Sequence, residues 1–219
     1  MTWLLSNSIG FLSVAGAVCA WVVVAGPTAA ADVNLSFVDS EGADVQDVVA
    51  TLEVPDGQPV VASAPVEVEV NQYRQSFEPL VTMVPINSDV RFRNSDSFAH
   101  HVYSFSKAKS FEHRQSTSGV TEAMTLDKAG LIALGCNIHD HMLAYIYVSD
   151  TPYYGLSGKD GFVQMQDVPD GDYVLKIWHP RLKGKAIEKP VTVGGDTVEV
   201  RETLELKPPR KVKKSLYSR

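Results

Sequence analysis

The sequence predicts an all-β protein built as two β-sandwich modules, and two observations predict it. Short runs of apolar and alternating residues recur along the chain, closed at brief intervals by Gly, Pro, Asn and Asp turns. No stretch carries the 3.6-residue apolar period of a long amphipathic helix. With 219 residues of ordinary composition, the chain is long enough for one large domain or two small ones.

The elements follow in order. Residues 33–38 form a short apolar-rich run before the turn Asp39-Ser40-Glu41-Gly42, and residues 45–54 resume a strand pattern that Pro55-Asp56-Gly57 ends. Residues 66–70 alternate Val and Glu strictly, which suits a half-buried strand. Val90 and Phe92 alternate with Arg91 and Arg93 up to the break at Asn94-Ser95-Asp96. Residues 101–106 read as another short strand, residues 131–134 as a buried strand entering Cys136, and residues 142–148 as an alternating one. Residues 112–126 are the least patterned and read as a long loop or a short helix. A second group of strands follows Pro152: residues 162–165, 173–178 and 197–206, introduced by Asp160-Gly161, Asp170-Gly171 and Gly194-Gly195.

The two ends differ from the body. Residues 9–25 are almost wholly apolar, Gly26-Pro27 breaks the run, and Ala29-Ala30-Ala31 supplies the small residues of a cleavage site. Residues 1–31 therefore read as a signal peptide, with Asp32 as the mature start and the periplasm as the destination. No Lys or Arg precedes the apolar run, so a membrane-anchored form is the competing reading, but the run is short for a span. At the other end, residues 207–219 hold six cations and no acid, so that tail is +6 and the remainder −12. The net charge of −6 argues against nucleic acid as the partner. The tail reads as basic and disordered, suited to weak contact with an acidic partner or an anionic membrane surface.

Only two cysteines exist, Cys19 and Cys136, and Cys19 lies in the leader. The exported chain then has one thiol, which cannot close an internal disulfide in an oxidising compartment. An inert core thiol is the bland reading; the neighbours of Cys136 point to a thiolate with a task. The segment Cys136-Asn137-Ile138-His139-Asp140-His141-Met142 brings thiolate, imidazole and thioether together between two apolar strands. A turn there carries residues three apart to one side, so that Cys136, His139 and Met142 converge. A fourth donor must come from elsewhere, and His100-His101 opens a strand after the turn at 94–96.

A thiolate with imidazoles and a weak thioether suits copper in both oxidation states. Soft sulfur favours Cu(I) and imidazole holds Cu(II), so a site fixed between them exchanges one electron with little ligand movement. Zinc accepts a thiolate and imidazoles as well, but a thioether is a poor zinc ligand and no second cysteine is present. A thiolate-bridged two-copper centre is excluded for the same reason.

The segment resembles the metal loop of the cupredoxins, and its Cys-x-x-His-x-x-Met spacing is similar to that of amicyanin. Residues 93–100, Arg-Asn-Ser-Asp-Ser-Phe-Ala-His, resemble the turn that delivers the first histidine in that family. Residues 100–106 and 135–140 resemble bacterial methylamine utilisation protein-like cupredoxins, and the likeness covers about residues 66–152. It implies a Greek-key cupredoxin sandwich or barrel holding one copper ion through His100, Cys136, His139 and an axial Met142, and electron transfer between protein redox partners rather than catalysis. His139 would lie near the surface as the electron exit. Two departures leave choices open. His101 stands where plastocyanin-like proteins have an Asn that ties the two ligand loops together, so it either replaces that Asn or competes with His100 as a ligand. His141 adds a donor beside Met142, keeping alive a copper-handling protein or a small copper enzyme.

Other candidates read as structural. His113 suits a solvated loop, His179 a strand end, and Met83, Met124 and Met165 the core; Tyr145 and Tyr147 fit strand packing. Residues 161–175 resemble the carboxypeptidase-regulatory or transthyretin-like sandwich, whose opening strand Val38-Asp39-Ser40-Glu41-Gly42 resembles loosely. The implied organisation is a cupredoxin domain at 63–152 inserted into a second sandwich made from 32–62 and 153–206, with 207–219 as the tail.

Overall fold

The structure, a computed structural model, describes residues 29–54 and 63–209. Among them are strands and turns and no helix. In chain order the strands are β1 (Ala30–Asp39), β2 (Val49–Glu53), β3 (Glu67–Tyr73), β4 (Ser76–Glu78), β5 (Val81–Pro85) and β6 (Ser88–Asn94). Then come β7 (His100–Phe105), β8 (Ser110–Gln115), β9 (Gly119–Val120), β10 (Met124–Leu126), β11 (Gly130–Cys136) and β12 (Leu143–Ser149). The last are β13 (Tyr154–Leu156), β14 (Phe162–Pro169), β15 (Gly171–Trp178), β16 (Ile187–Val193) and β17 (Val198–Leu204).

Period-two patterning places these strands. In β1, Val33, Leu35 and Phe37 are buried while Asn34 and Ser36 between them are half exposed. That face lies between two sheets, ordered β14-β1-β17 and β13-β2-β15-β16. Leu35, Phe37, Leu52, Leu175, Ile177 and Leu204 fill the space between them. β1 runs antiparallel to β14 and parallel to β17, so the strands before residue 54 close a sandwich with strands after residue 154.

A second sandwich is made by the strands between. One sheet runs β10-β6-β3-β4 with β9 on β6; the other runs β5-β12-β11-β7-β8. Phe92, Leu126, Ile132, Leu134 and Ile146 form its interior, together with Cys136 and Met142. The expected all-β architecture of sandwiches is the observed one. The two sandwiches touch through the outer face of β12, where Tyr145 meets Trp178 edge-on at 5.1 Å and Tyr147 shares a hydrogen bond with Thr51.

Several readings are corrected. Residues 112–126 are neither loop nor helix: they contribute to β8 and supply β9 and β10. In β8, half-buried Phe111, His113 and Gln115 alternate with exposed Ser110, Glu112 and Arg114. The inward positions are aromatic and amide rather than aliphatic, which hides the period. His113 is accordingly a strand residue, its ring tilted against those of Phe92 and Phe111, and not a solvated loop residue. β4, β5, β13 and β16 are further strands. β1 runs Ala30–Asp39, beyond both ends of the strand read at 33–38, and Ala31 pairs with Val168. The leader up to residue 28 and the tail from Arg210 lie outside the described residues.

Candidate metal centre

Three strand ends meet at one edge of the second sandwich. β11 buries Ile132, Leu134 and Cys136 in alternation, so the thiol points into the core on the same face as the two aliphatics. β7 begins with His100, which shares its inward face with Val102 and Ser104. Cys136 pairs with Val102 across the two strands, which sets the thiol beside the start of β7. The connection from β11 to β12 carries His139, and the Met142 N–H donates to the His139 carbonyl at 3.0 Å, closing the turn. Met142 then stands in step with inward Ala144, Ile146 and Val148.

The result is a compact donor group. Cys136 Sγ lies 3.7 Å from His100 Nδ1 and 3.8 Å from His139 Nδ1. All three donor atoms fall within 4.8 Å of one another, the one such His/Cys/Asp/Glu group among the described residues. Metal bonds of about 2.0 Å to imidazole and about 2.3 Å to thiolate, opened near the trigonal angle, separate such donors by about 3.7 Å. The group therefore fits a metal ion without rearrangement. His100 and Cys136 are 1% and 3% exposed, while His139 is half-buried. Burial holds the His139 imidazole below its ordinary pKa, with His100 and His141 adding to the effect and Asp96 opposing it. The ring is thus neutral near pH 7, with a lone pair to give.

His100 is oriented from behind. Its Nε2 lies 2.9 Å from Asp96 Oδ2. Asp96 in turn accepts the Arg74 N–H at 2.7 Å and the Gln75 N–H at 3.1 Å, and its own N–H donates to Asn94 Oδ1. Arg74 and Gln75 form the tip of the β3–β4 hairpin at φ values of 51° and 56°. A two-residue turn of this hand ordinarily takes Asn-Gly. Here the Asp96 carboxylate compensates by taking both tip N–H groups. Burial works to raise the Asp96 pKa, but the bonds from Gln75, His100 and Arg74 together hold it below the ordinary carboxylate value. An ionised Asp96 makes Nε2 the protonated nitrogen and leaves Nδ1 free toward Cys136.

The other candidates are placed as follows. Met142 is 3% exposed and belongs to the same apolar cluster as Cys136. His101 leaves β7 on the opposite face, its Nδ1 3.5 Å from Asn137 Nδ2 and its Nε2 3.3 Å from Glu112 Oε2. Its carbonyl accepts the Asn137 N–H at 3.0 Å, so residue 101 ties the two donor-bearing segments together through its backbone. His141 is half-buried with its ring 6.2 Å from that of His139. The Phe98 ring covers the mouth, 5.2 Å from His100 and 5.6 Å from His139. Met165 is core, while Met83 and Met124 are half-buried. His179 is buried just past β15, far along the chain from this group.

Asp96 and the hairpin tip escaped sequence reasoning. Asp96 was legible only as part of a turn, and Arg74-Gln75 carries no turn signature.

No protein-family model matches the chain, and no curated protein matches it. Solved structures do. A copper-containing nitrite reductase from Thermus scotoductus SA-01 matches at 24% identity and a TM-score of 0.35, over 44% of this chain and 25% of that one. The chain thus spans a quarter of that protein's length. A purple cupredoxin from Nitrosopumilus maritimus matches at 18% identity and 0.33, over 37% of this chain and 98% of that one. A reduced amicyanin variant matches at 19% and 0.34, over 46% of this chain and 98% of that one. These neighbours are cupredoxins, the kind of protein that the two motifs resemble.

Proposed function

We propose that this chain holds one copper ion through His100, Cys136, His139 and Met142 and passes single electrons between redox proteins. The observation that carries the reading is the convergence of one thiol sulfur and two imidazole nitrogens at 3.7 and 3.8 Å around a shared centre. Two imidazoles and a thiolate held at fixed separation, with a thioether in the same buried cluster, suit neither Cu(I) nor Cu(II) alone, and when bound the ion would supply the one-electron step. The protein's residues do the rest. Asp96 fixes the His100 ring, the β11–β12 turn fixes His139, and the apolar shell of Phe92, Leu134 and Ile146 excludes water from Cys136. Coordination takes the proton from the Cys136 thiol.

His100, Cys136 and Met142 are 1%, 3% and 3% exposed, and this burial favours a carrier over an enzyme. The half-buried edge of His139 lies between exposed Phe98 and Ile138, and this apolar rim suits contact with an electron donor or acceptor. A lone thiol and an apolar leader favour export to the periplasm. The test is to add Cu(II) to the purified chain and to Cys136→Ser. The parent should turn intensely coloured through sulfur-to-copper charge transfer and bleach reversibly with a one-electron reductant; Cys136→Ser should stay colourless.

A further inference from the structure

A groove of about 540 Å³ opens between the metal loop and the C-terminal stretch of the described chain. Its walls are apolar on one side, where Phe77, Leu80, Met142 and Leu143 line it. Leu80 and Leu143, both in this wall, are 43% and 36% exposed. The other side is a tight polar join. The Lys207 N–H donates to the Arg181 carbonyl at 2.7 Å, and Arg181 Nη1 donates to the Lys207 carbonyl at 3.3 Å. This join holds the Arg181 guanidinium and the Lys207 backbone at the rim, where Pro208 and Pro209 also line the groove.

The charge there is unbalanced. Arg91, Arg93, Lys109, Lys176, Lys183 and Lys189 each meet a carboxylate within 4 Å. No such pair involves Arg181 or Lys207 among the described residues, and no Asp or Glu lines the groove. An apolar cleft with two uncompensated cations at one side selects a ligand with an apolar body and one negative head. The volume falls within the range of small-molecule sites.

We infer that this groove binds an apolar monocarboxylate, its chain against Leu80, Leu143 and Phe77 and its carboxylate on Arg181 and Lys207. The groove borders the metal centre through Met142 and His141, while His100, Cys136 and His139 lie outside its lining.

The test is calorimetric titration of the metal-free full chain with octanoate and with octanol, so that its result is independent of the copper reading. Octanoate should bind at one site per chain, at least tenfold more tightly than octanol. Lys207→Gln and Arg181→Gln should each weaken octanoate at least threefold and leave octanol unchanged. Leu80→Asp, at an exposed position that the fold tolerates, should abolish both. Absence of saturable octanoate binding, equal affinity for the alcohol, or indifference to Lys207→Gln would overturn the assignment. So would octanoate binding that survives Leu80→Asp.

Discussion

Asp96 Oδ2 sits 2.9 Å from His100 Nε2, on the side of the ring opposite Cys136. The same carboxylate takes the two N–H groups at the tip of the β3–β4 hairpin. One side chain therefore couples a strained turn to the orientation of a buried imidazole.

Replacing Asp96 tests that coupling. Asp96→Asn keeps the shape but no longer enforces protonation at Nε2. Loss of such an outer partner typically weakens metal binding by about 10- to 100-fold. Competition with a chelator of known affinity would measure it, with chemical denaturation of the metal-free protein run alongside to separate turn stability from metal affinity. Asp96→Ala should destabilise the metal-free fold further, because two hairpin N–H groups lose their acceptor.

The paired histidines should behave differently. His100→Ala should abolish the charge-transfer band, because its Nδ1 faces the thiol. His101→Ala should retain the band, because that ring leaves β7 on the other face and its tie to Asn137 runs through its backbone carbonyl. His141→Ala should also leave the band nearly unchanged, because His141 lies outside the donor group of His100, Cys136 and His139. A visible spectrum of each copper-loaded variant decides all three.

His179 gives the first sandwich a pH dependence of its own. Burial, with Arg181 adding, pushes its pKa down to about 4, against a hydrogen bond to the Gln46 backbone that works the other way. Its Nδ1 accepts the Arg181 N–H at 3.2 Å and so is committed in the neutral form. In the unfolded chain the ring takes its proton near pH 6.5. Between these values the unfolded state binds more protons, so the contribution is complete above about pH 6.5 and is lost as pH falls toward about 4. The full shift corresponds to about 3 kcal/mol, which solvent screening reduces to a loss of about 2 kcal/mol. Urea titrations at pH 7 and pH 4.5 should show this decline, and His179→Gln should flatten that part of the profile.

Gly161 tests the packing of the first sandwich. Its φ is 65°, and a Cβ there would come 2.5 Å from the Phe37 carbonyl, a backbone atom that cannot turn away. Gly161→Ala should destabilise by about 2–4 kcal/mol, combining backbone strain with overpacking. Denaturant midpoints would show the shift.

Much of this was legible because strands announce themselves locally. Val33, Leu35 and Phe37, or Ile132, Leu134 and Cys136, declare an inward face by simple alternation. The three-residue steps from Cys136 to His139 to Met142 lie within one turn, so their common side could be read directly. β8 was not legible, because its inward residues are Phe111, His113 and Gln115, and a polar inward face mimics a loop. The Asp96 network was not legible for a different reason. Residues 74 and 96 meet only because β3 and β6 run parallel in one sheet, a register that no local pattern encodes.

The most direct test of the central claim is the combined visible and paramagnetic resonance spectrum of the Cu(II)-loaded chain. A donor set of His100, Cys136, His139 and Met142 predicts an intense sulfur-to-copper band and a narrow copper hyperfine splitting, both lost in Cys136→Ser. A colourless protein that takes zinc in preference to copper would contradict it.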